Sequence, residues 1–173
     1  PYINFSIDGQ RKSGFLWPVV GLGSSKWGPY LMTPLYWNIA PNYDMLFTPG
    51  YLSKRGAMLR DNFRYLTPMS HGNFYVSMIP YDRDFANFRH YSALDPSYAN
   101  PALQPAAITQ AELNRLFNDS NFRRGVVFRD DSRFSDNWSS HIDFNYASDD
   151  YYLRDFGNNL NEVTQNQLLQ EGD

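Results

Sequence analysis

Three histidines and three close pairs of aspartates are the residues of this chain with the most chemistry to offer. His71, His90 and His141 stand far apart, with neither an HxH nor an HExxH spacing, so they frame no metal site. His141 lies two residues before Asp143. On a strand those two share a face, and a histidine beside a carboxylate can act as a general base. The simpler reading is two polar residues on a wet face. The pairs Asp82/Asp84, Asp130/Asp131 and Asp149/Asp150 could do acid–base work or hold a hard cation. All fall at strand ends or in loops, where acids are ordinary. No glycine-rich phosphate loop and no GxSxG elbow occurs. The expectation is a protein that is not an enzyme and needs neither cofactor nor metal. Arg60, Arg64, Arg129 and Arg133 could meet phosphates if they line a lumen, or pair across strands with nearby acids.

The elements that must carry these residues are strands. From Tyr43 to Ser53 the chain alternates, with Tyr43, Met45, Phe47, Pro49 and Tyr51 on one face. Leu59, Phe63 and Tyr65 then face one way, with Asp61 breaking the row, while Arg60, Asn62 and Arg64 face the other. Phe74, Val76 and Met78 oppose Asn73, Tyr75 and Ser77. Trp138, Ile142, Phe144 and Tyr146 oppose Ser139, His141, Asp143 and Asn145. The possible lumen-facing set is therefore Arg60, Asn62, Arg64, Tyr75, Ser77, His141 and Asp143.

Two further runs, Gly14–Val20 and Tyr30–Asn38, each hold a proline, Pro18 and Pro34. Proline cannot donate to a β-ladder and is normally confined to edges and bulges. Two neighbouring strands broken in this way describe a weak seam. Arg11 and Lys12, just before the first run, fit either a solvated strand entry or an interface anchor.

Composition agrees with short alternating strands. Aromatics make up 17% of the 173 residues, yet mean hydropathy is -0.56. The formal net charge of -3 implies no nucleic-acid partner. There is no cysteine, so redox compartment cannot be read. No run reaches the roughly 18 apolar residues of a membrane helix, but a barrel strand needs only about 9–11, apolar at alternate positions. Pro1 opens on a strand-like run without a leader, and the chain reads as a piece of a longer protein.

Turns are short near 38–42, 67–72 and 135–137 and mostly longer near 21–28, 82–123 and 157–173, with the short tip at 53–57 breaking the pattern. Outer-membrane barrels have short periplasmic turns and long extracellular loops. Trp37, Tyr43, Tyr65 and Trp138 flank the short turns, as an interfacial aromatic belt would. Within 82–122, three prolines mark a loop, and Thr109–Glu112 fits a capping box that opens one short amphipathic helix with Leu113, Leu116 and Phe117 on its apolar face. Asp149–Phe156 reads as a possible strand extension. The expected architecture is all-β: an antiparallel transmembrane β-barrel segment of about seven strands, with one short loop helix.

At RKSGFLWP (11–18), PLYWNIAPNYDM (34–45), TPGYLSKRG (48–56) and NFRYL (62–66) the sequence resembles the LptD family of outer-membrane LPS-assembly proteins, also called organic solvent tolerance proteins. YASDDYYLRDF (146–156) is similar to a late family motif, whereas the insert 82–122 departs from the family pattern. The resemblance implies that residues 1–10 end a periplasmic jelly-roll domain and that 11–173 supply the N-terminal strands of a large barrel. It implies LPS as the substrate, LptE as a lipoprotein plug, and LptA as a bridge reached through the periplasmic domain. It also implies a lateral gate between first and last barrel strands, with Pro18 and Pro34 at the seam. The insert would be an extracellular loop. The rival readings are a porin-like passive channel and a soluble carbohydrate-binding β-sandwich.

Overall fold

The computed structural model describes residues 11–23, 25–94, 110–157 and 171–172. Their ten strands form one antiparallel sheet: β1 (Gly14–Phe15), β2 (Val19–Gly21), β3 (Tyr30–Met32), β4 (Leu35–Ala40), β5 (Tyr43–Leu52), β6 (Gly56–Leu66), β7 (Ser70–Ile79), β8 (Arg123–Ser135), β9 (Trp138–Ala147) and β10 (Glu171–Gly172). From β4 to β9 each strand pairs with the next. The sheet is open, as a segment of a larger barrel would be. No described strand belongs to a second sheet, so the two-layer sandwich does not form. The five long strands β5–β9 hold 10 to 13 residues each, enough for the roughly 9–11 that cross a bilayer. Residues 1–10, the expected end of the periplasmic jelly-roll domain, lie outside the described residues, as does Thr109 of the capping box.

The registers fix the two faces. Cross-strand partners share a face, because the side-chain period is two. One row runs Asp44, Arg64, Asn73, Arg129 and Asp143; the next runs His71, Asp131 and His141. On the opposite face Met45 pairs with Phe63, Phe63 with Phe74, Phe74 with Phe128, and Phe128 with Phe144. We call the polar face inner and the aromatic face outer. Trp37, Phe74, Phe144 and Tyr146 on the outer face are exposed. Near the short turns that face carries one polar knot: Asp130 accepts hydrogen bonds from Ser70 and Ser132, both at 2.6 Å, and from Tyr65. The knot sits level with the aromatic belt, where a polar group can meet headgroups.

Helices are the main departure from expectation. There are three among the described residues: α1 (Arg83–Leu94), α2 (Gln110–Asn118) and α3 (Tyr152–Phe156). Only α2 was legible. The stretch holding α1 reads as loop, yet Asp82 caps it, accepting from the Phe85 N–H through Oδ1 at 3.1 Å, and Phe85 is buried. The expected strand extension at 149–156 is α3 instead. Its Tyr152, Asp155 and Phe156 are buried together at i, i+3 and i+4, a helical and not a strand spacing.

The apolar core lies at the long-loop end of the inner face. Met32, Leu52, Met58 and Ile79 from the strands pack with Tyr152 and Phe156 of α3. Gly125 of β8 lets α3 sit there: a Cβ would meet the Tyr152 ring at 2.5 Å.

Candidate functional site

The seam is built as the two prolines require. The first strand consists of β1 and β2, the second of β3 and β4, and each breaks at its proline. Phe15 pairs with Leu35 and Val19 with Met32, so three residues (16–18) of the first strand oppose two (33 and 34) of the second. That is a β-bulge, and it reverses the faces of the first strand above the break. One backbone bond spans the gap, from the Leu16 N–H to the Pro34 carbonyl at 2.8 Å. In an antiparallel strand a residue's N–H and C=O point the same way. The donor that Pro34 lacks would therefore also face the first strand. On the open side Phe15, Trp17, Val19 and Val20 are exposed.

Below the break, Arg11 donates to Asp44 at 3.1 Å, and Asp44 also takes both Arg64 nitrogens at 2.8 and 2.9 Å. Asn38 bonds the Ser13 hydroxyl and the Arg11 carbonyl, each at 2.8 Å. Arg11 is thus tied to the sheet through Asp44 while its side chain stays largely exposed.

All seven residues expected to line the lumen, Arg60, Asn62, Arg64, Tyr75, Ser77, His141 and Asp143, share the inner face. Their pairings are local. Arg129 meets Asp143 at 3.3 Å, Arg133 meets Asp136 at 3.3 Å, and Arg60 lies over the Trp27 ring at 5.3 Å. His141 binds Asp131, its partner in direct register on β8, at 2.6 Å.

The larger cluster is one that sequence spacing did not reveal. Arg123, fully buried, donates to Asp82 at 3.1 Å, to Asp155 at 2.7 Å and to both Asp149 oxygens at 2.9 and 2.7 Å. Arg55, at the β5–β6 tip, meets Asp82 at 2.6 Å, Asp84 at 3.1 Å and Asp155 at 3.3 Å. Phe85 and Phe156 cover the Arg123 guanidinium, with ring centroids 4.3 and 5.2 Å away. Gly56, at φ +121, permits the turn that aims Arg55 inward. The cluster welds the β5–β6 tip, the start of α1, the base of β8 and α3 into a cap over the long-loop end of the inner face. Six charged residues from four distant stretches meet here. The local signals were the aspartate pairs 82/84 and 149/150, which read as ordinary acids of strand ends and loops, and the helical spacing of Tyr152, Asp155 and Phe156.

The cap has a defined acid limit. Burial pushes the Asp155 carboxyl up, but hydrogen bonds from Arg123 and Arg154 and the charges of Arg55 and Arg123 outweigh it and hold the group below its ordinary 3.8. A carboxyl lowered by folding contributes stability above its unfolded pKa and loses it as pH falls through the folded value. The cap should therefore hold from neutral pH to the ordinary carboxylate range and loosen only below it. Proteolysis of the full-length protein by an acid-active protease, stepped in pH, checks this. Cleavage after β9 already in the histidine range would contradict it. Burial also pushes the Tyr152 phenol up to about 12, so it remains a neutral packing group.

Comparison with known proteins places these features in one family. The family model "LPS transport system D" (LptD) matches residues 121–173. An LPS-assembly protein LptD of Legionella pneumophila (strain Lens) is 40% identical over 173 residues, covering 100% of this chain and 18% of the relative. That of Coxiella burnetii is 38% identical over 176 residues, covering 100% and 20%. That of Nitrosomonas europaea is 34% identical over 172 residues, covering 99% and 19%. The chain spans about a fifth of the length of the curated relatives it matches. An open sheet with one polar and one aromatic face, and alignment along its whole length to these relatives, lead to one assignment: the chain belongs to the LPS-assembly protein LptD family, outer-membrane proteins of Gram-negative bacteria.

Proposed function

We propose that this chain supplies the N-terminal strands, residues 11–173, of an outer-membrane barrel that delivers lipopolysaccharide to the outer leaflet, and that residues 1–10 end its periplasmic domain. The inner face is the lumen. Its arginines, aspartates and amides suit the phosphates and sugars of the headgroup, while the aromatic outer face suits lipid. Acyl chains leave sideways at the seam, between the first strand and the last strand of the barrel. The work is binding and translocation rather than catalysis. The lipoprotein LptE plugs the barrel, and LptA delivers substrate through the periplasmic domain.

The observation that carries this reading is the broken pairing of the first two strands at Pro18 and Pro34 beside an exposed apolar edge. A porin-like channel would have no use for a weak seam. Photo-crosslinking in cells tests the reading, with probes placed in the full-length protein. Adducts to lipopolysaccharide are expected at Asn73 and Tyr75 on the inner face and at Val19 on the seam, rising with active transport. Phe74 and Val76 on the outer face should give only background. Equal adducts at every position would mean that surrounding lipid alone was sampled and would remove the lateral route.

A further inference from the structure

The two halves of the first strand are held to the rest of the molecule very differently. The upper half, β2, runs into a connection that is fastened to the cap from several sides. Trp27 donates its indole N–H to the Asp155 carbonyl at 3.0 Å and stacks on Phe156 with centroids 6.4 Å apart. Lys26 donates to the Arg154 carbonyl. From the β5–β6 tip, Arg55 donates to the Lys26 carbonyl at 2.9 Å, and Lys54 to the Ser25 carbonyl at 2.7 Å. Arg55 and Asp155 are the same groups that close the buried cluster around Arg123. The lower half, β1, has no such backing. It is a two-residue strand paired with β4, and its nearest ties run through Arg11 and Ser13 at the exposed foot of the seam. Between the halves lies the bulge at 16–18, spanned by one backbone bond.

We infer that Trp27 and α3 form a latch that pins the upper half of the seam to the cap, so that opening is confined to the half below Pro18, with the bulge as its hinge. The two halves form one strand in sequence but two mechanical units. A bond to a buried, multiply satisfied cluster can part only if that cluster is disturbed, whereas Arg11 is a largely exposed arm that can leave Asp44, which keeps both of its Arg64 bonds. The lower half therefore swings while the upper half stays. This rests on the gate reading above for its purpose, but its content is a statement about relative motion.

Nitroxide pairs in the full-length protein, reconstituted in lipid, test it. One pair joins Phe15 to Phe144, the other Val20 to Phe144, both ending on β9. The expected result is a broad Phe15 distance distribution, shifting when lipopolysaccharide is added, and a narrow, unmoved Val20 distribution. Trp27→Ala should broaden the Val20 distribution to match that of Phe15. Trp27→Phe keeps the stack but loses the N–H, and should fall between. The thermal midpoint of the barrel should stay unchanged in the Phe variant, so that broadening reports the latch and not unfolding. Equal motion of both halves in the unsubstituted protein, or a Val20 distribution indifferent to Trp27→Ala, would overturn the inference. A parallel measurement of lipopolysaccharide at the cell surface separates the two ideas. If the unsubstituted chain moves as described but exports nothing, the export reading fails and the latch stands.

Discussion

Replacing Arg123 with leucine is expected to unseat the cap, at about 3–5 kcal/mol, because the change leaves buried carboxylates facing one another with their shared cation gone. Asp82, Asp149 and Asp155 each lose a hydrogen-bonded partner; the Asp82 side chain is as fully buried as Arg123, and those of Asp149 and Asp155 are nearly so. Arg55 can still reach Asp82 and Asp155, but not at the Asp149 side of the cluster. Arg123→Lys keeps the charge but loses the fork that engages both Asp149 oxygens, and should cost a fraction of the leucine change. Arg123→Leu combined with Asp149→Asn removes one stranded charge and should recover part of the loss. The measurement is surface proteolysis of intact cells carrying the full-length protein, read at α1 and α3, beside the heat-modified mobility of the barrel. Cleavage of the leucine variant no faster than that of the unsubstituted protein would show that packing of Phe85, Tyr152 and Phe156 holds the cap without the cluster.

The contrast between sheet and cap explains what could be read in advance. Strand faces were legible because alternation is a one-dimensional signal: Tyr43 to Tyr51, or Trp138 to Tyr146, each announces its faces within ten residues, and the registers then align those faces across β5–β9. The prolines were legible because their missing donor is a property of the residue itself. The bulge at 16–18 was not, since a three-against-two count depends on where pairing resumes at Val19 and Met32. The cap was illegible for the same reason on a larger scale. Arg55 is a hairpin-tip residue and Arg123 begins a strand, and neither position suggests burial. α3 hid in an aromatic run, YYLRDF, that suits a strand as well as a helix until Gly125 makes room for Tyr152. Asp82 was the signal that could have been used: an aspartate followed three residues later by an apolar side chain is an ordinary helix entry.

Asp61 belongs to neither account. It stands at mid-strand on the outer face, between Phe47 and Val76, and its Oδ1 is buried with no hydrogen-bond partner among the described residues. A carboxyl at that height in lipid is costly, and nothing in this segment of the barrel explains it.

The seam itself gives the second large effect. Pro18→Ala with Pro34→Ala restores two backbone donors, and at position 34 the new N–H faces the first strand, as the carbonyl of the same residue already does in accepting from Leu16. A hydrogen bond gained in water is worth about 1 kcal/mol net, but in hydrocarbon the unmade group has no water to turn to, so each restored bond is worth more. One to two such bonds at the lower figure already shift an opening equilibrium by about 5- to 30-fold. On the lateral route proposed above, export should slow by a similar factor in cells that depend on the variant, with the single substitutions between. The bulge limits the gain, because three residues against two cannot all pair. Replacing Pro34 should therefore matter more than replacing Pro18. The rate at which newly made lipopolysaccharide appears at the cell surface, at matched levels of assembled protein, measures this directly. A double variant that exports at the unsubstituted rate would mean that the weakness at Pro18 and Pro34 plays no part in letting substrate out, and that the route lies elsewhere on the barrel.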